Sequence, residues 1–252
     1  MKGLAKKLFT AAIVLLLLIF VFSGYKTLTY YTNSKREAEA FNKLSQMVQD
    51  ETMPPLLPEE TSILPKYQEL YEQNSDLFGW IAIEDTKINY PVMHTPKEPE
   101  FYLRRAFDKT YSASGVPFLS ADCFEGCGNY LIYGHNMDNG TMFASIVKYK
   151  DKEYFEAHKT IKFDTLYEEA EYEVISAFRT KIIPDENEGF QYWKYTDLTD
   201  KEKFSEYISN IKSEALYDTG LTAEFGDELL TLSTCAYHTD DGRFVVVAKK
   251  IN

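Results

Sequence analysis

The chain has 252 residues, room for one sizeable domain plus an appendage. Its 27 basic and 39 acidic side chains leave a formal charge of −12, which argues against nucleic acid as a partner, because phosphate binding needs basic surface. The 19 Tyr and 17 Phe suit a β-rich core and grooves for extended peptides.

Leu8 to Phe22 is nearly unbroken apolar sequence, and Ser23, Gly24 and Tyr25 extend it to about the length that crosses a bilayer. Residues 8–25 therefore read as a transmembrane anchor. Lys2, Lys6 and Lys7 precede it, so the positive-inside rule leaves residues 1–7 in the cytoplasm and the remainder outside, as a single-pass protein of the cell membrane. A cleaved signal peptide is the rival reading. Bulky Phe20, Val21 and Phe22 run up to Ser23 with no small-residue cleavage site, which favours an uncleaved signal anchor.

Residues 26–62 read as a helical stalk. Ser34-Lys-Arg-Glu37 has the form of a capping box opening a polar helix to about Asp50, and Pro54, Pro55 and Pro58 then break the chain. From 63 to 252 the pattern is that of one β-rich domain, placed outside by the anchor's orientation. A short helix is expected from Pro65 to Asn74, with Pro in its first turn. Eight short β-type runs follow between turn residues: Trp80–Ile83, Lys87–Val92, Val116–Leu119, Asn129–Gly134, Thr160–Asp164, Glu171–Thr180, Glu228–Thr234 and Arg243–Ile251. The fold class is mainly β, a closed, antiparallel-rich barrel of eight strands. Helical interruptions are expected at Thr141–Lys148 and Lys152–His158. A longer helix is expected after the capping box Thr199-Asp-Lys-Glu202, where Phe204, Tyr207, Ile208 and Ile211 fall at helical spacing. It precedes the strand that ends in Cys235, so its end and the loop Leu221–Gly226 are expected beside that cysteine.

Three motifs carry chemistry. Thr231-Leu-Ser-Thr-Cys235 ends one strand, Gly242-Arg243-Phe-Val-Val-Val247 begins the next, and Tyr133-Gly-His135-Asn-Met137 lies a hundred residues upstream. A thiol, an imidazole and a guanidinium are the parts of an acyl-transfer site: nucleophile, proton carrier and oxyanion stabiliser. A lone Cys is usually a small buried hydrophobe and a lone His a structural one. Together these motifs resemble those of the sortases, membrane-anchored cysteine transpeptidases of Gram-positive bacteria, and most closely class B.

That resemblance implies a sortase-type barrel with N-terminal helices and a helical insert before the cysteine strand. It assigns Cys235 as nucleophile, His135 as general acid and base, and Arg243 as oxyanion and substrate stabiliser. It also places Thr234, Ser233, Asn136 and Tyr237 around the substrate. His238 lies only three residues from the thiol but is not the family position, and His94 and His158 default to structure. The implied donor is a secreted protein with a C-terminal sorting pentapeptide, in class B commonly Asn-Pro-x-Thr-like, cut after its threonine. The implied acceptor is an amine of a peptidoglycan precursor. A pilus-polymerising sortase with a lysine acceptor, a plain cysteine protease and a catalytically silent peptide-binding barrel are the alternatives. No lid motif precedes Gly79, as a pilus enzyme would carry, and the intact Cys, His and Arg argue against silence.

Cys123 and Cys127 stand outside this pattern. Two sulfurs fall short of a tetrahedral metal set, and a local disulfide or two free thiols both remain open. No phosphate loop, zinc-binding HExxH or calcium loop is present, so no cofactor and no metal site are expected.

Overall fold

The computed structural model describes residues 2–49, 62–182, 189–236, 239 and 241–252. It divides into two compact units, residues 1–44 and 45–252. The first unit is part of helix α1, Lys2–Gln49, which runs without a break. This corrects the expectation of a separate stalk helix opening at Ser34. No proline or glycine interrupts the chain between Tyr25 and Gln49, so nothing stops propagation. The Thr27 and Thr29 hydroxyls donate back to the carbonyls of Ser23 and Tyr25 at 2.9 Å each, which satisfies these β-branched residues inside the helix. Leu8 to Leu18 and on to Phe22 expose their large apolar side chains, and the helix is long and apolar enough to cross a membrane. The proline stalk at Pro54, Pro55 and Pro58 lies outside the described residues.

In the second unit α2, Pro65–Gln73, has its proline in the first turn, as expected. Its Tyr67 hydroxyl donates to the Asp164 carboxylate at 2.6 Å, and Lys66 reaches the same group at 2.8 Å. The strands are β1 Leu77–Ala82, β2 Asn89–Met93, β3 Phe118–Leu119, β4 Asn129–Tyr133, β5 Thr160–Thr165, β6 Glu171–Lys181, β7 Leu229–Cys235 and β8 Gly242–Lys250. They close into one barrel in the order β1-β2-β3-β4-β7-β8-β6-β5. Six pairings are antiparallel, whereas β2–β3 and β4–β7 are parallel. The eight expected strands are therefore all present, in a mixed barrel. β3 is only two residues long because the chain before it is committed elsewhere: the Val116 N–H bonds to the Tyr102 carbonyl and Pro117 has no N–H to offer. At Gly79, where β1 bulges against β2, a side chain would collide with the Asp164 carbonyl, so only glycine lets β1 and β5 approach.

Two helical pieces follow β4: a 3-10 run, Phe143–Lys150, and helix α3, Lys152–Ala157. Helix α4, Lys201–Glu214, separates β6 from β7. Its cap is Asp200, whose side chain accepts from the Lys203 N–H at 2.8 Å. The expected cap, Thr199, instead gives its hydroxyl to Asp197 at 2.7 Å, an Asx-type turn one residue too early. The stripe Phe204, Tyr207, Ile208 and Ile211 is buried, as its spacing requires. Polar ties fix where it docks. Tyr207 donates to Thr231 Oγ1 at 2.7 Å, Thr231 donates to Asn129 Oδ1 at 2.8 Å, and Ser176 donates to the Ile211 carbonyl at 2.7 Å.

Truncating Ile211, 1 % exposed, to alanine removes contacts that α4 makes with the barrel. Ile211→Ala should cost about 2–5 kcal/mol in urea unfolding, against about 0.5 kcal/mol or less for the exposed Lys201→Ala. Equal costs would mean that α4 is not docked as described.

Candidate active site

β4 and β7 run parallel in a fixed register, from Asn129 beside Leu229 to Tyr133 beside Ser233. The ladder continues past the strand end, since the Gly134 N–H donates to the Ser233 carbonyl at 3.1 Å. Extending it by two residues sets His135 alongside Cys235. On the other side, Cys235 pairs directly with Arg243 across the antiparallel β7–β8 ladder. Adjacent strands lie about 4.8 Å apart. Cys235 and Arg243 thus share one rung of β7 and β8, and His135, two residues past the end of β4, lies next to it, its neighbour Asn136 bonding the Cys235 carbonyl.

Strand alternation decides which way they face. Asn129, Thr231 and Ser233 point to the outer side, where Tyr207 of α4 and Tyr192 cover them. Cys235 and His135 have the same parity and continue that row beyond the cover. All three site residues are half-buried.

Hydrogen bonds hold the two strand ends together. Thr234 Oγ1 donates to the Gly134 carbonyl at 2.6 Å, and Asn136 Nδ2 donates to the Cys235 carbonyl at 3.0 Å. The turn that returns from the site is tied by the Phe143 N–H to the His135 carbonyl at 2.8 Å. Gly134 is required here, because a Cβ would lie 2.6 Å from the Phe143 ring. His135 Nε2 lies 2.9 Å from the Leu103 carbonyl, which comes from a 3-10 turn, Phe101–Arg104. A carbonyl only accepts, so this contact places the proton on Nε2 of the neutral ring and leaves Nδ1 as the acceptor. Burial pulls the His135 pKa below its ordinary value; the Leu103 carbonyl opposes this and the Arg104 charge adds to it.

Tyr192 completes the surroundings, in a 3-10 turn of residues Tyr192–Lys194 between β6 and α4. Its hydroxyl and Ser233 Oγ are 2.6 Å apart. Burial pushes the phenol up to about 12, with the Ser233 hydrogen bond and the Arg243 charge opposing and the Cys235 thiolate adding. It therefore stands within electrostatic reach of two of the three site residues. Tyr192 belongs to no catalytic motif in the sequence; its one local signal is the aromatic run Phe190-Gln-Tyr192-Trp193-Lys-Tyr195 just ahead of the helical insert.

Several expectations need correction. Ser233 and Thr234 are 1 % and 2 % exposed, with their hydroxyls bonded to Tyr192 and to the Gly134 carbonyl, so what they offer the groove is its wall. Asn136 Nδ2 donates to the Cys235 carbonyl and so holds that strand end. Tyr237 and His238 lie outside the described residues. The loop Leu221–Gly226 is not beside the thiol: it leads into the start of β7, and six residues of strand at about 3.3 Å each separate Leu229 from Cys235. It sits at the opposite rim, and the β6–α4 connection carrying Tyr192 borders the site instead. His158 bonds the Tyr154 carbonyl at 2.9 Å and His94 packs on Phe78, both apart from the rung. Among the described residues no cluster of three or more His, Cys, Asp or Glu could hold a metal ion.

A strand-end thiol on one rung with a guanidinium and next to an imidazole, on the rim of a closed mixed barrel, is the arrangement of a cysteine acyl-transfer enzyme. The family model for the sortase domain matches residues 81–251, so the chain belongs to the sortase family. It is most like class B and is a sortase-type cysteine transpeptidase. Sortase B of Staphylococcus aureus is 28% identical over 250 residues, 98% of both chains, and sortase B of Listeria monocytogenes is 27% identical over 241 residues, 92% of both. Among solved structures, a Staphylococcus aureus sortase B–substrate complex is 28% identical with a TM-score of 0.75, covering 88% of this chain and 99% of that one.

The depressed His135 pKa has a consequence for stability. The folded state holds the neutral ring, so below the ordinary histidine range, about pH 6.5, the unfolded chain binds more protons and stability falls with pH. Between pH 7.5 and 5 the urea midpoint of His135→Gln should decline less than that of the parent chain. Parallel declines would show that burial does not oppose charging at this ring.

Proposed function

We propose that this sortase cuts secreted proteins after the threonine of a C-terminal sorting pentapeptide, of the Asn-Pro-x-Thr-like kind, and joins them to an amine of a peptidoglycan precursor. The observation that carries the reading is the pairing of Cys235 with Arg243, together with the hydrogen bond that Asn136, the residue after His135, makes to the Cys235 carbonyl. In support, a relative of the same architecture has been solved as a substrate complex. Residues 8–25 serve as the membrane anchor, 1–7 stay cytoplasmic behind Lys2, Lys6 and Lys7, 26–62 act as a stalk, and the domain from 63 to 252 faces outward.

The chemistry follows from the roles of the three groups. Cys235 passes its proton to Nδ1 of His135, the resulting thiolate attacks the threonine carbonyl carbon, and the carbonyl electrons move onto oxygen. The Arg243 guanidinium, permanently charged and fork-shaped, stabilises that oxyanion and holds the substrate carbonyl. His135 gives a proton to the leaving nitrogen as the C–N bond breaks, because an amide ion cannot leave. A thioester remains. The acceptor amine then attacks the same carbon, His135 takes its proton, and Cys235 departs as the new C–N bond forms. One amide is exchanged for another, so no ATP is needed outside the cell.

Incubating the full chain with candidate pentapeptides, with and without an amine acceptor, should give an acyl–acceptor product of the expected mass. Cys235→Ala should abolish cleavage and thioester trapping. His135→Ala should lower kcat/KM by about 10²–10⁴-fold and Arg243→Lys should lower kcat by about 10²–10³-fold. Retained cleavage in Cys235→Ala, or a lysine variant near the parent rate, would overturn the assigned roles.

A further inference from the structure

Cys123 and Cys127 lie in the connection between β3 and β4, away from the catalytic rung. The chain folds back on itself there. The Cys123 N–H donates to the Ser120 carbonyl at 3.1 Å and the Cys127 N–H to the Phe124 carbonyl at 3.0 Å. Gly126 and Gly128, at φ of 79° and 86°, take the left-handed conformation that so tight a reversal needs. Both cysteines are buried, at 3 % and 0 % exposure, and both are thiols.

The two sulfurs converge on one acceptor. Cys123 Sγ donates to the Asn129 carbonyl oxygen at 3.6 Å and Cys127 Sγ at 3.4 Å, so both thiols are in hydrogen-bonding contact with one oxygen. The Leu131 N–H donates to Cys123 Sγ at 3.4 Å.

We propose that Cys123 and Cys127 form a disulfide in the mature protein, closing a five-residue ring at the entry to β4 by exchange with a small-molecule or protein disulfide. The Cys127 thiolate attacks one donor sulfur and the donor S–S bond breaks, releasing a donor thiolate. Cys123, losing its proton, attacks Cys127 Sγ in the mixed disulfide and expels the second donor thiolate. The two protons from the cysteines pass to the two donor thiols, and two electrons go from the pair to the donor. From their shared contact with the Asn129 carbonyl, side-chain rotation brings the sulfurs to the bond length of about 2.05 Å. Burial means that exchange occurs while this segment is open during folding, and that the finished bond is shielded from reductant. The ring abuts Asn129, whose side chain ties β4 to Thr231 and to the Tyr195 carbonyl, so it braces the strand that ends at His135.

The test uses the full chain. Cells are lysed into denaturant containing N-ethylmaleimide, and the digest is weighed with and without reduction. The peptide holding Cys123 and Cys127 should be two mass units light and unlabelled, and should gain two labels after reduction, while Cys235 is labelled throughout. In a second arm the chain is reduced in denaturant and refolded with oxidised glutathione, where the same light peptide should return. Reductant should lower the melting temperature of the parent by about 2–8 °C and leave that of a Cys123→Ala, Cys127→Ala double variant unmoved. Two labels without reduction in both arms would overturn the proposal. The natural oxidant rests on the outward placement proposed above, so closure with glutathione alone would sustain the site and count against that placement.

Discussion

The parallel pairing of β4 with β7 is the constraint on which the rest of the structure depends. Two parallel neighbours cannot be joined by a hairpin; the chain must travel back to the starting rim before the second strand begins. Here that return is occupied by β5, β6 and α4, which close the barrel and cover the outer face of β7. Because the strands are parallel, their C-terminal ends fall at the same rim. The residues that follow β4 and end β7 therefore become neighbours, however far apart they are in sequence.

Such a site works only if the register is exact, since a slip of one residue would turn Cys235 from the outer face into the barrel. Hydroxyls and amides set that register. In β7, Leu230 and Leu232 are fully buried on one face while Thr231 and Ser233 bond Tyr207 and Tyr192 on the other. Asn129 accepts from Thr231, and at the rim Thr234 and Asn136 cross-link β7 to the continuation of β4. Each bond contributes roughly 0.5–1.5 kcal/mol net, yet leaving one of these buried groups unpaired costs about 1–3 kcal/mol. The penalty for wrong pairings is thus larger than the gain from the right one. Polar residues in this wall specify alignment more than they add stability.

This division explains what was legible in the chain. The strands could be read because apolar runs and turn residues alternate at short range, and the buried stripe of α4 because Phe204, Tyr207, Ile208 and Ile211 repeat at helical spacing. Cys235, His135 and Arg243 stand out by their flanking motifs, but that the ends of β4 and β7 meet at one rim does not, since strand order is a long-range property that no local pattern encodes. Short-range rules also misled where two candidates compete. Thr199 and Asp200 both suit a helix cap, and Asp197 captured the Thr199 hydroxyl. Ser34-Lys-Arg-Glu37 has the letters of a capping box, but a helix already propagating does not stop without a breaker. Ser233 and Thr234 flank the nucleophile in sequence, and alternation with burial nevertheless turns both hydroxyls to protein partners.

Proximity in sequence misled most over the loop after α4. A strand has two ends, and Cys235 is at the far one. Whatever precedes Leu229 belongs to the opposite rim, together with Asp227 and Glu228, which pair with Lys249 and Lys250 at the far end of β8. The segments that do reach the thiol's rim are those whose contacts lie at the C-terminal ends of β4 and β7. One is the turn at Phe101–Arg104, whose Leu103 carbonyl fixes the His135 tautomer. Another is the connection from β6 to α4, whose Tyr192 lies against Ser233 and feels both Cys235 and Arg243. The turn Gly134–Phe143, packed through the Phe143 ring, is the third. The barrel carries the register on which the chemistry depends, and the segments around the rim are where the chain can differ from its relatives in what it accepts without disturbing that register.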